Sequence, residues 1–475
     1  MRRTKIIASL GPASDSEAVL KDMIHAGMDV ARINLSHGSI DDALERYRRV
    51  RKVAADVGRP IGILGDLPGP KVRAGTFGEH GVELDYDRIV HLVPGNEPST
   101  DKLINVDYDR LLHDVRPGDR LIVGDGGAVL LVDSLGGDKL AARVVHGGVL
   151  KGRPGIHIPA DRLHMSTPTD VDLKYLDALV EADIDMIAVS FVRSAHDIRR
   201  VGTEPHPRGP LVVAKIETRA AIENLDGIIN ASGAIMVARG DLGAELPIED
   251  LPHLQKRIIG RCIALGRPAI TATQMLESMV NAPAPTRAEA SDVANAVFDG
   301  TSCVMLSGET AVGNDPANVV RTMARIAERA DQEFDYAGWT HEMARSHMDE
   351  ASGADAVVTD AMTMAAWRVA TEVDADAIIA ISGSGFTVRA IARFRPEMRI
   401  LGYSTNERTV RQLTMSWGAT PALTAASGEN QELVAGILQQ AKAAGDVRTG
   451  DIVAVLAGNT SRAAATDTLR LVRVP

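Results

Sequence analysis

Eight short apolar runs recur along the chain, at positions 5–10, 30–35, 61–64, 184–189, 211–216, 234–238, 269–272 and 303–306. Between most of them the apolar positions shift to a helical spacing, giving amphipathic helix candidates at 16–26, 39–57, 170–181, 252–265, 287–299 and 316–330. Eight strand and helix units in series predict a (β/α)8 barrel.

One interval departs from this rhythm. Between about 71 and 164 the helical period is lost, and Gly, Pro and Asp punctuate alternating strands such as 120–123 and 129–132. That segment reads as a separate β domain inserted after the third barrel strand. Beyond about 335, strands at 377–381, 400–403 and 452–456 alternate with helices near 357–372 and 429–444, the pattern of an open α/β domain. The expected fold class is therefore α/β: a TIM barrel over 1–70 and 165–334, an inserted β-barrel lid over 71–164, and a C-terminal open α/β domain over 335–475. A doubly wound sheet through the whole chain is the alternative, and the inserted β block and the count of eight favour the barrel.

At 475 residues the chain exceeds what one hydrophobic core supports, which agrees with two or three domains. With only 3% aromatic residues, its cores must be aliphatic and Ala-rich. A formal net charge of -11 argues against general affinity for nucleic acid or anionic membrane, so phosphate substrates would need positive charge concentrated at the site. Cys262 and Cys303 show no CxxC spacing, which indicates neither a disulfide framework nor a cysteine metal site and suits a reducing compartment. The start, Met1-Arg2-Arg3-Thr4-Lys5, lacks the apolar segment and cleavage site of a signal peptide. No stretch approaches the roughly 20 apolar residues of a membrane helix, so the expected location is cytoplasmic.

Barrel enzymes carry their sites at the C-terminal ends of the strands. The second run ends Arg32-Ile33-Asn34-Leu35-Ser36-His37-Gly38, and the strand period turns Arg32, Asn34 and Ser36 to one side. A polar strand edge with a satisfied loop is the plainer reading of that segment. The fifth run ends Ala214-Lys215-Ile216-Glu217 and the sixth Ala238-Arg239-Gly240-Asp241. Glu217 and Asp241 can offer carboxylate oxygens to Mg²⁺ or Mn²⁺, hard cations that take further ligands from water and substrate. Lys215 beside them would neutralise charge developing on an oxygen in between. A buried Lys215–Glu217 ion pair is the structural alternative, and the convergence of three charged strand ends on one mouth weighs for function. Hydroxyls at Thr273 and Ser307 end the seventh and eighth runs and can position water or substrate, although Ser and Thr there often cap helices, as Thr310 can. There is no GxSxG and no histidine beside a candidate serine, so nothing points to a nucleophilic triad.

Read together, these segments resemble the pyruvate kinase family along essentially the full chain. The resemblance rests on Arg3-Thr4-Lys5-Ile6 with Leu10 through Ser14, on Ala31 through Gly38, on Ala214 through Glu217, and on Met236 through Gly243. Most specific is the block Ala272-Thr273-Gln274-Met275-Leu276-Glu277-Ser278-Met279, continuing through Pro285-Thr286-Arg287-Ala288-Glu289 to Ser307-Gly308-Glu309-Thr310-Ala311. The resemblance implies transfer of the phosphoryl group of phosphoenolpyruvate to ADP, giving pyruvate and ATP, the last step of glycolysis. It implies that Lys215 stabilises the enolate and that Glu217 and Asp241 hold the divalent ion. Arg32 and Arg73 would hold the transferring phosphoryl group, Gly240, Asp241 and Thr273 the substrate carboxylate, and Asn34, His37 and Arg73 the nucleotide. The enolate would be protonated through water near Thr273 and Ser307. A mobile lid and a C-terminal domain that binds a phosphorylated effector and forms a homotetramer are also implied.

Several residues depart from the family pattern. In Asp66-Leu67-Pro68-Gly69-Pro70-Lys71-Val72-Arg73, Lys71 stands where many members carry a glutamate. Members with that glutamate resemble K⁺-requiring enzymes that use the equivalents of Asn34, Ser36, Asp66 and the Leu67 carbonyl as ligands. An ammonium from Lys71 can fill such a pocket, so K⁺ is expected not to be required; the alternative is a Lys71 turned to solvent. In the lid, Gly155-Ile156-His157-Ile158-Pro159-Ala160 replaces the usual Gly-Val-Asn-Leu-Pro-Gly, and Pro154 replaces a common basic residue, leaving Lys151 or Arg153 for a nucleotide contact. Ser382, Ser384, Gly385 and Thr387 open a helix and resemble the effector phosphate loop. The loop 458–465 is not the glycine-rich one that accompanies sugar bisphosphate binding. Two other functions fit the barrel: a catalytically retired regulator, disfavoured by the retention of Lys215, Glu217, Asp241, Arg32 and Thr273, and another Mg²⁺-using phosphoenolpyruvate lyase or aldolase, from which ATP formation distinguishes it.

Overall fold

A computed structural model describes residues 2–124, 127–159, 162–336, 338–339, 354–426, 430–458 and 466–475. Ala160, the loop 459–465 and the first residue of the expected helix 429–444 lie outside the described residues.

The eight apolar runs form one closed parallel barrel. Its strands are Lys5–Leu10, Val30–Asn34, Gly62–Asp66, Met186–Val189, Leu211–Ile216, Ala234–Ala238, Ala269–Ala272 and Cys303–Leu306. Closure is made by pairing the first strand with the eighth, Lys5 opposite Cys303, and with the second, Ile7 opposite Val30. The third strand runs on to Asp66 rather than stopping at 64, because Asn34 and Ala188 on its neighbours both pair with Asp66. That extension carries a carboxylate to the rim.

Helices begin where a side chain can take the first orphan N–H groups. Ser39 with Asp42, Thr169 with Asp172 and Thr286 with Glu289 form capping boxes ahead of helices Ile40–Val57, Asp170–Glu181 and Arg287–Phe298. The barrel interior is filled by Ile7, Leu64, Met186, Met236, Ile270 and Met305 among others, all essentially buried. It is therefore a packed core, and chemistry is confined to its ends.

Between the third and fourth barrel strands lies the β insert. A six-stranded sheet orders Ile156–His157, Arg120–Val123, Ala128–Gly136, Lys139–His146, Ile89–Pro94 and Leu103–Val106, beside a two-stranded ribbon of Val82–Leu84 and Gly148–Leu150. The sheet curls until its two edges meet one short segment: Arg73 bridges to Gly155 and Ala74 to Val106. The insert is thus a small barrel closed by residues 73–74, around Leu92, Ile104, Leu130 and Val144.

Past the barrel, a five-stranded sheet orders Ala419–Leu423, Arg399–Ser404, Ala377–Ile381, Ile452–Gly458 and Thr466–Arg473, with the last pair antiparallel. Its two edge strands escape the sequence pattern because one carries Pro421 and the other is half-exposed with mixed polarity. This unit docks under the barrel, at the N-terminal ends of the strands. Lys5 Nζ donates to the Ala419 carbonyl at 2.7 Å, and Met415 packs with the barrel interior. At the centre of the junction the buried Asp185 carboxylate accepts from Ile63 N–H at 2.8 Å and pairs with Arg51 at 2.5 Å and Arg411 at 2.7 Å. Among the described residues no helix is long and apolar enough to cross a membrane.

Asp185→Ala removes the acceptor shared by Arg51 and Arg411 and leaves Arg411 with the more exposed Asp183, so it should cost about 3 kcal/mol in chemical denaturation. A loss below about 0.5 kcal/mol, the size of an ordinary surface substitution, would show that the junction does not rest on this carboxylate.

Candidate active site

With the lower mouth covered, the C-terminal rim is the open end, and the charged strand ends converge there. Lys215, one residue before the end of the fifth strand, places Nζ 2.7 Å from Ser190 Oγ, 2.8 Å from Glu217 Oε1 and 3.4 Å from Asp66 Oδ1. Arg32, from the second strand, holds Asp66 Oδ2 at 2.7 Å and Ser9 Oγ at 2.7 Å. Ser190 in turn donates to the Leu67 carbonyl at 2.7 Å, and Ser9 to the Leu306 carbonyl at 2.9 Å. Glu217 is fully buried and Asp66 nearly so.

These charges set one another's ionisation. Burial opposes charge on Asp66, but Lys215 and Arg32 outweigh it and hold the carboxyl below the usual range. Burial likewise opposes charge on Lys215, yet Asp66, Glu217 and Asp241 raise it well above an ordinary lysine. Glu217 is pushed upward, by burial first and then by Asp241, against the pull of Lys215 and of the Phe191 N–H that donates to Oε2 at 2.6 Å.

Glu217 Oε1 touches Lys215 as an ion contact but accepts no hydrogen bond of good geometry, so a buried oxygen is left available. Asp241, half-buried in the first turn of helix Arg239–Glu245, is close enough to act on both Lys215 and Glu217. This pair fits a hard divalent cation that completes its shell with water and substrate. Among the described residues no group of three or more His, Cys, Asp or Glu side chains gathers as a protein-only cage.

The sixth and seventh strand ends are locked together. Thr273 and Gln274 adopt φ of 68° and 54°, a left-handed turn that non-glycine residues rarely take. Thr273 Oγ1 accepts from Gly240 N–H at 2.9 Å, and Arg239 donates to the Thr273 carbonyl at 2.6 Å. At the eighth strand the buried Glu309 carboxylate accepts from Ser307 N–H at 2.6 Å and Leu276 N–H at 3.1 Å. Ser307 lines a cavity of about 640 Å³ together with Ser9, Arg32, Asn34, His37 and Arg46.

The residues expected at a monovalent pocket lie at the ends of the second and third strands, and each already has a partner within the protein. Asn34 Oδ1 accepts from Ser36 N–H at 3.1 Å, and the Leu67 carbonyl is taken by Ser190. Arg73 donates to the Ser36 carbonyl at 3.4 Å, bringing a second guanidinium to that edge. Lys71 is exposed, lies beside Gly155 of the insert, and acts on His37, whose basicity is lowered by burial and then by Lys71, Arg73 and Arg32. Of the lid candidates, Arg153 is committed to Asn96 and Asp107 and Lys151 is exposed, while His157 reaches Glu245 of the rim helix at 3.0 Å.

Far from the rim, the expected effector residues divide. Ser384 Oγ accepts from Phe386 N–H at 3.4 Å and Gly385 takes φ of 74°, whereas Ser382 is buried and Thr387 is turned inward onto Thr466 Oγ1 at 2.6 Å. Sequence reading passed over Ser9, Ser190 and Glu309, three buried residues that fix the cationic and hydroxyl groups. Ser190 had a signal, since it directly follows the fourth apolar run.

Two family descriptions match the chain: "Pyruvate kinase, barrel domain" over residues 1–320 and "Pyruvate kinase, alpha/beta domain" over residues 360–472. A pyruvate kinase of Clostridium acetobutylicum is 36% identical over 478 positions, covering 100% of each chain. Another, of Bacillus licheniformis, is 37% identical over 99% of this chain and 80% of its own. A third, of Corynebacterium glutamicum, is 37% identical over 96% of this chain and 94% of its own.

Lys215→Met would leave the buried Glu217 without its cation, while Asp66 keeps Arg32, at a cost of about 3 kcal/mol. The Glu217 carboxyl, already raised by burial, would then rise further above its unfolded value, so stability is retained at low pH and lost as pH rises through the folded value. Urea unfolding should show the deficit of the variant growing from pH 5 to pH 8; a deficit independent of pH would mean that the Glu217 carboxylate does not depend on Lys215.

Proposed function

The chain belongs to the pyruvate kinase family and moves the phosphoryl group of phosphoenolpyruvate to ADP, leaving pyruvate in the last step of glycolysis; we propose that it does so with Lys215, Arg32, Glu217, Asp241 and Thr273 at the barrel rim. One observation carries this assignment: an ammonium held within 2.8 Å of Glu217 and 3.4 Å of Asp66, with Arg32 on the other side of Asp66. That arrangement keeps two cations in a largely water-free rim, where they act on negative charge far more strongly than in water.

Phosphoryl transfer asks for alignment and charge neutralisation more than for covalent chemistry. Glu217 and Asp241 would hold Mg²⁺ or Mn²⁺, which supplies Lewis acidity to the oxygens of bound substrate. Arg32, held in place by Asp66 and Ser9, and Arg73 from the insert bind the phosphoryl group. Gly240, Asp241 and Thr273 take the substrate carboxylate, the first and last already joined by a hydrogen bond of 2.9 Å. Lys215 balances the charge of the enolate that remains. Ser307 and Thr273 orient the water that delivers a proton to carbon, and Asn34, His37 and Arg73 line the approach of the nucleotide.

The proposal includes the segment 71–164 as a lid, and a Lys71 ammonium that serves in place of K⁺ beside Asn34, Ser36, Asp66 and Leu67. It also includes a cytoplasmic homotetramer, and an effector phosphate received by Ser382, Ser384 and Gly385. The two buried thiols, Cys262 and Cys303, suit a reducing compartment.

A lactate dehydrogenase-coupled assay with phosphoenolpyruvate, ADP and Mg²⁺ tests the chemistry. Lys215→Ala should lower kcat by roughly 10²- to 10³-fold with phosphoenolpyruvate binding retained; a fall of less than about tenfold, 1.4 kcal/mol, would remove Lys215 from its role. Replacing K⁺ by Na⁺ or tetramethylammonium should leave the rate of the parent enzyme nearly unchanged. A drop of about a hundredfold, some 2.7 kcal/mol of transition-state stabilisation, would refute the Lys71 substitution.

A further inference from the structure

The fourth barrel strand ends Val189-Ser190-Phe191-Val192, with no ionisable group among these four residues. It nevertheless lies between the third and fifth strands, whose ends carry Asp66, Lys215 and Glu217. At its tip the chain turns sharply. Phe191 adopts φ of 54°, a left-handed conformation that is unfavourable for any residue with a Cβ and persists only where the surroundings hold it.

Both neighbouring strands hold it. On the fifth-strand side, Phe191 N–H donates to Glu217 Oε2 at 2.6 Å, Ser190 Oγ accepts from Lys215 Nζ at 2.7 Å, and the Val192 carbonyl accepts from Thr218 Oγ1 at 3.2 Å. On the third-strand side, Ser190 Oγ donates to the Leu67 carbonyl at 2.7 Å, and the Ala188 carbonyl accepts from Leu67 N–H at 3.0 Å. Gly69, with φ of 70°, lies so close that a Cβ there would come 2.8 Å from Ser190 Cβ and 3.0 Å from Phe191 Cδ2. Three successive residues of the turn therefore grip the end of the fifth strand, and Ser190 also grips the loop after the third.

This grip settles two groups that meet at the rim. One oxygen of Glu217 is taken by a backbone N–H, which fixes the plane of the carboxylate and leaves the buried Oε1, without a hydrogen bond, 2.8 Å from the Lys215 ammonium. Ser190 gives its proton to Leu67, so toward Lys215 it can only accept. Without that acceptor the ammonium would be left to Glu217 and Asp66, and its hold on Oε1 would compete with a cation for the same oxygen. We propose that Ser190 and Phe191 are positioning residues, and that the left-handed elbow of the fourth strand sets Lys215 and Glu217 so that Oε1 stays open to a hard divalent cation. The inference rests on the roles given above to Lys215 and Glu217 and adds the backbone that aims them. The Phe191 ring packs against Gly69, while the bond to Glu217 comes from the main chain.

Mn²⁺ binding by the full chain, followed by electron paramagnetic resonance of the free ion without substrates, tests this. Phe191→Gly and Phe191→Val both lose the ring and keep the N–H, but only glycine takes a left-handed φ without strain. Phe191→Gly should bind Mn²⁺ within about threefold of the parent, and Phe191→Val about tenfold more weakly than Phe191→Gly. Ser190→Ala should weaken Mn²⁺ by about tenfold and lower kcat by a similar factor, with KM for phosphoenolpyruvate nearly unchanged. A purely structural role would lower the midpoint of thermal unfolding but leave the Mn²⁺ Kd of the folded protein as it is in the parent. Should Phe191→Val fail to fold, Ser190→Ala carries the same expectation. Glu217→Gln in the same titration separates the two readings, since retained affinity there removes the cation from Glu217 and this proposal with it. Affinity lost in Glu217→Gln but equal in the two Phe191 variants, or parental in Ser190→Ala, overturns the elbow alone.

Discussion

The charged rim of the barrel depends on one buried carboxylate shared by two cations. Asp66 stands between Lys215 and Arg32, pairing with Arg32 at 2.7 Å and with Lys215 at 3.4 Å, so its removal would take an acid partner from both buried cations at once. The carboxylate fixes where both cations point, and their charge keeps it ionised. Ser190 and Ser9 add a hydrogen bond to each cation and tie it to the end of a neighbouring strand. The positive charge therefore belongs to the barrel closure itself, and it stays in place within an acidic protein whose net charge is -11.

The inserted β unit is coupled to this rim by the short segment that leaves the third strand. Residues 73–74 close the inserted barrel by bridging its two edges, and the same segment brings Arg73 to the Ser36 carbonyl and Lys71 into the field of His37. His157 gives a second tie, reaching Glu245 at the end of the helix that carries Asp241. The seal of the insert and two of the basic groups that act on His37 thus lie on one stretch of backbone. At the other end of the molecule, Asp185 joins Arg51 of the barrel to Arg411 of the C-terminal unit. The two ends of the barrel use the same device in different settings, one at the open rim and the other in docking of the C-terminal unit.

Much of the architecture is local in origin and could be read along the chain. Four- to six-residue apolar runs separated by capped amphipathic helices leave few alternatives to a closed parallel sheet, and Lys215, Glu217, Arg32 and Asp241 stand out because they are charged residues within or just beyond such runs. The edge strands 419–423 and 466–473 were invisible because an edge buries one face and pairs on one side, so the apolar pattern is diluted. Glu309 and Ser190 were missed for a different reason. Their partners, the Leu276 N–H and the Lys215 ammonium, lie 33 and 25 residues away, and a serine or glutamate shows its role only when the partner is in place.

By itself, then, the sequence determined the periodicities, the order of units and the chemical types at the strand ends, since these follow from side-chain polarity and local backbone preference. Tertiary structure alone decided which of those charges meet. Barrel closure turned Asp66 into the shared partner of Lys215 and Arg32, the left-handed turn at Thr273 brought its hydroxyl to the Gly240 N–H, and docking of the C-terminal unit brought Arg411 to the buried Asp185. Coulombic interaction and desolvation depend on distances across the fold, and the spacing of residues along the chain carries no measure of those distances.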